Sequence, residues 1–272
     1  MIAGAMRRTL AASALLAACA TPCLAEVRRF SDAELIDGFV RTVFGAEYEA
    51  PADAILVVKR FTGPVRVRVE PLPSATLPAA FARQRARQAE RLVRQMASRI
   101  RGVSISIVPT MAQANLLIAI TDRAGYLETG NVILRGRAGF MRNTTCAGAP
   151  AWRPDYSIDR GVAIIPADIG ERGFVSCVFE EFLQLLGPVN DDSSLTYSTF
   201  NDANTLSGFP LFDQLILNLL YDPRIRPGMT EAQVRAILPA VIRDVRPRVE
   251  AAAQRRAPGR RVGFSTEGFV LD

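Results

Sequence analysis

Histidine is absent from the 272-residue chain, and lysine occurs once, at Lys59. Without an imidazole, no part of the chain can supply a histidine ligand to a metal. The sequence also lacks a transmembrane span, internal repeats and long low-complexity tracts, which argues against a helical membrane domain, a repeat array and a low-complexity chain. The composition, 49% hydrophobic and 22% charged residues, predicts a globular protein with one domain of about 200–250 residues.

The first 25 residues have the features of a secretory signal peptide. Arg7 and Arg8 precede an apolar run over 10–18, which is too short for a stable transmembrane helix. A small-residue site at 23–25 follows. We therefore predict cleavage after Ala25 and a periplasmic or secreted mature chain without a transmembrane span.

Cysteine is scarce, with four residues in the chain. Cleavage would remove Cys19 and Cys23 and leave Cys146 and Cys177, an even number that suits one disulfide in an oxidising compartment. An alternative stays open, because residues 16–19 resemble a bacterial lipoprotein box in which Cys19 is lipidated and retained. The protein would then be anchored to the outer or inner membrane, with Cys23 left unpaired.

Positive charge is spread along the chain. The formal net charge is +6, and removal of Arg7 and Arg8 would leave +4. Arginines are dense in an amphipathic helix predicted over 79–101, where they either bind an acidic lipid or nucleic acid or form a solvated face. No aromatic residues interleave with these arginines as a single-strand binder requires. We therefore expect no nucleic-acid partner.

The hydrophobic pattern predicts an α+β fold, with a mixed twisted sheet packed on a long helix and on a central buried helix. A capping box at Ser31 and Glu34 starts a helix that reaches about Phe44. Residues 54–61 and 64–70 are predicted as two paired strands joined at 62–63. The remaining predicted elements are strands at 103–108, 115–121 and 161–166, and helices at 79–101, 174–186, 211–221 and 230–245.

These elements divide the chain into four parts. They are the signal peptide 1–25, an N-terminal helical segment 26–50, a main domain 51–246, and a basic, partly disordered tail 247–272. The main domain includes a long loop region over 122–160, which contains Cys146. Long loops in compact domains are usually functional or pinned, and a Cys146–Cys177 disulfide would pin this one to the central helix.

The central helix carries the candidate site. It is apolar nearly all round, which indicates burial, but its narrow stripe contains two carboxylates that are costly to bury without partners. We therefore expect the stripe to face a cleft. Gly187, followed by proline, ends the helix. The predicted cleft-lining residues on the helix and just after it are Glu180, Glu181, Gln184, Asn190 and Asp191.

The spacing of this stretch and the order of elements resemble the metzincin zinc peptidases, which include the matrixins. Their signature H-E-x-x-H-x-x-G-x-x-H provides three histidine ligands and a general-base glutamate. Glu181 matches the glutamate and Gly187 the glycine, but the ligand positions hold Glu180, Gln184 and Asn190. One carboxylate and two amides are a poor set of zinc ligands.

The metzincin resemblance therefore implies a zincin-like fold without metal or cofactor. Two further segments resemble parts of that fold. Residues 113–118 resemble the strand at the edge of a peptidase cleft, and 213–221 resemble the closing helix of matrixin-like domains. Residues 197–200 hold the approximate place of the methionine turn, but no methionine occurs there.

A closer resemblance is to a family of exported bacterial proteins known as domain of unknown function 2927. Its pattern C-x-x-E-E-x-x-Q-x-L-G-x-x-N-D matches 177–191, S-x-F-N-D matches 198–202, and L-Y-D-P-R-x-x-P-G-M-T matches 220–230. The resemblance covers about 54–245. It implies export and a shared fold, and it implies no particular activity.

We therefore predict an exported envelope protein whose metzincin-like domain acts by binding or as a structural unit, and not as a zinc hydrolase. The simplest alternative is that the stripe is only the solvated edge of a core helix. In a third interpretation the domain is a peptide-binding module, with the strand at 115–121 adding an extended peptide by β-augmentation. An envelope protein is the other candidate partner.

Two enzymatic interpretations also stay open. In the first, Glu180 and Glu181 act as acid and base of a hydrolase, with Glu181 as the candidate catalytic residue. Adjacent helical residues diverge by about 100°, which makes such a dyad awkward. In the second, oxygen donors hold a hard cation such as calcium or magnesium. These donors are Glu180, Gln184, Asn190, Asp191 and Asp192.

Overall fold

The computed structural model describes residues 28–45, 55–72, 74–136, 138–201, 203–204, 206 and 208–256. The predicted signal peptide, the lipidation candidate Cys19 and the last part of the tail lie outside these residues. The helices are α1 (Asp32–Val43), α2 (Ala79–Ala97), α3 (Tyr126–Ile133), α4 (Gly170–Gln184), α5 (Leu211–Leu220) and α6 (Glu231–Arg256). The strands are β1 (Arg60–Phe61), β2 (Val65–Pro71), β3 (Ile105–Ile107), β4 (Leu116–Thr121), β5 (Ala147–Trp152) and β6 (Ser157–Pro166).

The strands form one mixed sheet in the order β1-β6-β4-β2-β3. These neighbours are all parallel, and β5 pairs antiparallel with β6. Parallel neighbours need crossover connections, which explains why the 19-residue helix α2 separates β2 from β3. Helices combined with a mixed sheet agree with the α+β class predicted from the sequence.

The predicted pairing of the first two strands is wrong. Strand β1 pairs in parallel with β6, with Arg60 opposite Ser157, whereas β2 lies between β3 and β4. The short connection at 62–63 therefore joins strands that are not neighbours in the sheet. The alternation in β2 is real, since Val65, Val67 and Val69 are buried, but alternation identifies a face and does not identify the neighbouring strand.

The predicted edge position of residues 115–121 is also wrong. Strand β4 pairs with β2 on one side and with β6 on the other, so its backbone groups already serve two ladders. Four of its six residues are consecutive buried positions, Ile118 to Thr121. A strand buried on both faces is typical of the interior of a parallel sheet. An added peptide cannot pair with this strand.

The core lies mainly between the sheet and helices α2 and α4. Helix α2 contacts β2 and β4, and its buried face includes Ala82, Ala86, Ala89 and Val93. Helix α4 packs against β5, β6 and α2. Every residue of α5 is buried, and α5 contacts α1 and α6. No helix in the described part of the chain combines the length and the apolar character required to cross a bilayer.

The region 122–160, predicted as a long loop, contains α3 and β5. Both were missed because α3 has only 8 residues and β5 contains Gly148 and Pro150, which are weak strand formers. The predicted Cys146–Cys177 disulfide is confirmed, with Cα atoms 6.0 Å apart and a sequence separation of 31 residues. A bridge that closes a loop of this length stabilises a fold by roughly 3–4 kcal/mol.

The predictions for the first and last helices of the described chain are confirmed only in part. The capping box is confirmed, since Ser31 Oγ accepts from the Glu34 amide while the Glu34 carboxylate accepts from the Ser31 amide. Helix α6, however, continues through Pro247 to Arg256. The first part of the predicted tail is therefore helical.

Candidate functional site

Helix α4 places the predicted stripe largely inside the protein. Glu181 is 2% exposed and Gln184 is 6% exposed, whereas Glu180 is half-buried. None of these three side chains is without a partner. Because Glu180 and Glu181 are adjacent on the helix, their side chains leave it about 100° apart, and only one of them is deeply buried. The arrangement does not favour an acid–base dyad.

Strand β5 contacts the buried carboxylate through Gly148. A Cβ atom built on Gly148 would lie 2.7 Å from Glu181 Oε2 and 3.5 Å from Leu185 Cδ2. The missing side chain therefore makes the room that the Glu181 carboxylate occupies beside the strand. Sequence reasoning did not identify Gly148, although a glycine within a strand is a recognised sign of close approach.

The end of α4 is a tight polar turn. Gln184 Nε2 donates to Asp191 Oδ2 over 2.7 Å, and the Gly187 amide donates to the Gln184 carbonyl over 2.9 Å. Gly187 has a φ of 134°, and a Cβ there would lie 2.4 Å from the Lys59 carbonyl oxygen. Helix α4 ends at Gln184, two residues before the predicted end at 186, and Gly187 lies in the turn that follows, where only glycine fits.

Asn190 and Asp192 fasten the following segment to α1. Asn190 Nδ2 donates to the carbonyl oxygens of Arg41 and Asp191, each over 2.9 Å. Asp192 accepts from Arg41 over 2.9 Å and from the Ser194 hydroxyl. Burial opposes the charged form of Asp192, but the Ser194 and Arg41 hydrogen bonds outweigh it and hold the pKa of this carboxyl below its usual range.

A second buried carboxylate, Asp213 of α5, holds the loop that contains Ser198 and Thr199. Asp213 is 0% exposed. Its oxygens accept from the Ser198 hydroxyl over 2.6 Å, the Thr199 amide over 2.9 Å and the Thr199 hydroxyl over 2.7 Å. Burial raises the pKa of Asp213 to about 6, although these three hydrogen bonds favour the charged form.

Sequence reasoning missed the role of Asp213. The available signal was a single acidic residue within the otherwise largely apolar helix α5. A charge at such a position is stable only with several hydrogen-bond donors close by. The donors, Ser198 and Thr199, come from a polar segment without a helical or strand periodicity that would have indicated their position.

Sequence reasoning also missed Lys59, the single lysine, which lies close to the turn that follows α4. It is 1% exposed, its Nζ donates to the Ile55 carbonyl over 2.6 Å, and Nζ lies 4.9 Å from the centre of the Trp152 ring. An ammonium group over an indole ring is a favourable cation–π contact. The signal in the sequence was a lone lysine among the apolar residues before β1.

The donor set does not suit a bound cation. Two of the three predicted carboxylate ligands already accept hydrogen bonds within the chain, Asp191 from Gln184 Nε2 and Asp192 from the Arg41 guanidinium. Over the described residues, no three His, Cys, Asp or Glu side chains are grouped closely enough to hold a metal ion. The structure therefore brings Gln184 and Asp191 together through a direct hydrogen bond, and not as two ligands around a cation.

Comparison with known proteins identifies one family. No curated protein matches the chain. The family described as "Protein of unknown function (DUF2927)" matches residues 32–240, which include all the elements from α1 to α5 and the first part of α6. This match covers well over half of the sequence, and the chain therefore belongs to the DUF2927 family of proteins of unknown function.

Proposed function

We propose that the protein is an exported component of the bacterial envelope, whose metzincin-like domain acts by binding and not by zinc-dependent hydrolysis. One observation carries this proposal. The amides of Gln184 and Asn190, at two of the three positions that hold zinc ligands in metzincins, donate hydrogen bonds that join α4 and the following turn to Asp191 and to α1. These positions stabilise the fold where a peptidase would hold its metal.

The arrangement of elements supports a metzincin-like shape. A strand, a long helix, two strands, a crossover region, a strand, a central helix and a buried helix follow one another from β2 to α5. Strand β5 lies on the outer side of β6 and packs against α4, which gives a candidate cleft an edge. This edge differs from the one predicted at 113–118.

An extended peptide is the ligand that such an edge could accept. Among the described strands, β5 pairs only with β6, so its other side is the place where a peptide could add by β-augmentation. Pro150 lies within β5, as prolines do on edge strands, and it removes one backbone donor. A peptide would therefore pair with only part of β5.

The test uses E181Q, which keeps the size of the buried side chain and removes its charge, with E180Q as the matched control on the same helix. We expect wild type and both variants to bind no stoichiometric zinc by elemental analysis and to share affinity for members of a degenerate library of extended peptides. We also expect no peptide cleavage that E181Q abolishes.

Four results would contradict or change parts of this proposal. Stoichiometric zinc, together with peptidase activity lost in E181Q and kept in E180Q, would show a metallopeptidase. Stoichiometric calcium would favour the hard-cation site. Retention of residues 1–25 in the protein recovered from a native host, measured by mass spectrometry, would contradict export with cleavage, and partitioning into detergent that C19A abolishes would show the lipoprotein form.

A further inference from the structure

Helix α2 carries three arginines in one row on its solvent side. Arg83, Arg87 and Arg91 are all exposed and are spaced by four residues. At about 100° and 1.5 Å per residue, they fall within an arc of about 80° and a length of about 12 Å. The opposite side of the helix is buried against the sheet. We call these three residues the α2 arginine row.

The α2 arginine row has no acidic partner. In the described residues, neither an ion pair nor a hydrogen bond involves the side chains of Arg83, Arg87 or Arg91. The other arginines of α2 are paired, Arg85 with Glu171 and Arg94 with Glu90. Like charges four residues apart destabilise a helix, so the row opposes local stability.

A second, distant part of the chain adds positive charge to the end of this row. Arg256, at the end of α6, donates from Nη2 to the Ser98 carbonyl over 3.1 Å, and Ser98 is the C-cap of α2. Ser98 lies 15 positions after Arg83 and therefore within the same arc of the helix. Helix α6 thus places exposed Arg256 at the end of the row, and exposed Arg255 precedes it in the chain.

The charge at this junction is not neutralised within the described chain. Burial lowers the pKa of Arg99, and the nearby charge of Arg256 lowers it further. Arg99 Nε is buried without a hydrogen-bond partner. Two guanidinium groups close together without a carboxylate between them form a site that favours an anion, and guanidinium groups match the geometry of phosphate.

We propose that the α2 arginine row and the end of α6 form a surface that binds the anionic phosphate headgroups of a lipid bilayer. Three features favour a bilayer over a nucleic acid or a folded acidic protein. The row is extended and lies on the outer side of a helix, it has no exposed aromatic ring for stacking bases, and it consists of repeated single charges without an apolar centre.

The binding is electrostatic, because the apolar side of α2 is already packed in the core and cannot enter the lipid. It therefore depends on ionic strength and on the fraction of anionic lipid. This inference does not depend on the absence of zinc chemistry, and a negative result in the peptide experiments would leave it unchanged.

The experiment measures co-sedimentation of the full-length protein with phosphatidylcholine vesicles and with vesicles that also contain phosphatidylglycerol. The variant is R83Q/R87Q/R91Q. The matched control is R142Q/R160Q/R226Q, which removes three exposed arginines without an ion-pair partner elsewhere on the described surface. All proteins carry the same N-terminal segment, so its contribution to lipid binding cancels in the comparison. Circular dichroism checks that each variant is folded.

We expect the wild type to prefer the anionic vesicles and to lose that preference at high salt. Each arginine near an anionic surface strengthens binding by about fivefold, so R83Q/R87Q/R91Q should reduce the partition coefficient ~100-fold, and the control should reduce it much less. A variant R255Q/R256Q should show an intermediate loss. If the α2 triple variant does not fold, the test is whether R255Q/R256Q lowers the partition coefficient more than the control does.

Several results would overturn the proposal. These are equal binding to both kinds of vesicle, an equal loss in the α2 variant and in the control, or binding that high salt does not weaken. Tighter binding to a duplex oligonucleotide than to anionic vesicles would assign the surface to nucleic acid.

Discussion

Helices α4 and α5 each bury one carboxylate, but the two carboxylates have different surroundings. Asp213 of α5 accepts three hydrogen bonds from two consecutive residues of one loop. Glu181 of α4 lies beside the backbone of β5, in room that exists because Gly148 has no side chain. Both are almost fully buried, at 0% and 2% exposure.

The difference shows that burial does not distinguish a structural carboxylate from a candidate functional one. Asp213 holds a loop in place, and its oxygens are occupied by that loop. Glu181 lies between a helix and an edge strand, where a small change in the strand would alter its position. The comparison predicts that substitutions of Asp213 mainly lower the free energy of unfolding. It also predicts that the effect of a substitution at Gly148 depends on whether Glu181 is present.

The largest effect is expected for D213A. The substitution leaves the donors of Ser198 and Thr199 buried without an acceptor, and we expect the free energy of unfolding at about pH 5, where Asp213 still contributes, to fall by about 3–4 kcal/mol. Urea denaturation measures this change. The control D213N keeps one acceptor oxygen and should lose less. A loss below about 1 kcal/mol in D213A would contradict the structural role of this carboxylate.

The pH dependence of stability sharpens the same comparison. Burial raises the pKa of Asp213 to about 6, above its value of 3.8 in an unfolded chain, so the folded state binds this proton more tightly. The contribution of Asp213 is therefore fully present below the unfolded pKa and is lost as the pH rises through the folded pKa.

We expect the free energy of unfolding of the wild type, minus that of D213N, to decrease by about 3 kcal/mol between about pH 4 and pH 8. The subtraction is needed because other carboxyl groups have lowered pKa values, and their contributions to stability change with pH in the opposite direction. Hydrogen bonds to Ser74 and to Arg85, respectively, lower the pKa values of Asp122 and Glu171, whose contributions disappear at low pH. A flat difference curve would show that Asp213 titrates normally.

The smallest effect is expected at Gly148. In G148A the new Cβ would lie 2.7 Å from Glu181 Oε2, so the carboxylate must move, and we expect a loss of about 1–2 kcal/mol in the free energy of unfolding. The matched control is G139A, since a Cβ at Gly139 would meet no atom within 4 Å.

A double-mutant cycle tests whether this loss belongs to the contact between Gly148 and Glu181. In the E181A background the carboxylate is gone, and G148A should cost less than half of its effect in the wild type. An undiminished cost would assign the strain at Gly148 to another neighbour, such as Leu185, and would remove the contrast between the two carboxylates.

Much of the secondary structure could be predicted from local patterns. The capping box at Ser31 and the amphipathic pattern of α2 are each determined by a few neighbouring residues, and the structure agrees with them. The glycine turn at Gly187 is present as well, although α4 ends earlier, at Gln184. The disulfide was predicted for a different reason, since the predicted cleavage after Ala25 would leave only Cys146 and Cys177 to pair, and the structure joins these two.

The errors concern relations between distant segments. The alternation in β2 identified a buried face but did not show that β1 pairs with β6. The apolar run at 116–121 identified a strand but not its central place between β2 and β6. A strand can satisfy the same hydrophobic pattern beside several partners, and the choice depends on the packing of the whole sheet.

The candidate site divides in the same way. The amino-acid sequence by itself determined that α4 would carry Glu180, Glu181 and Gln184 at fixed helical spacing, that no histidine could join them, and that a glycine turn would follow the helix. Only the tertiary structure decided that Gln184 binds Asp191, that Asn190 fastens to α1, and that Gly148 makes room for Glu181. Helical spacing follows from local backbone geometry, whereas these contacts join segments that approach each other only when the core is packed.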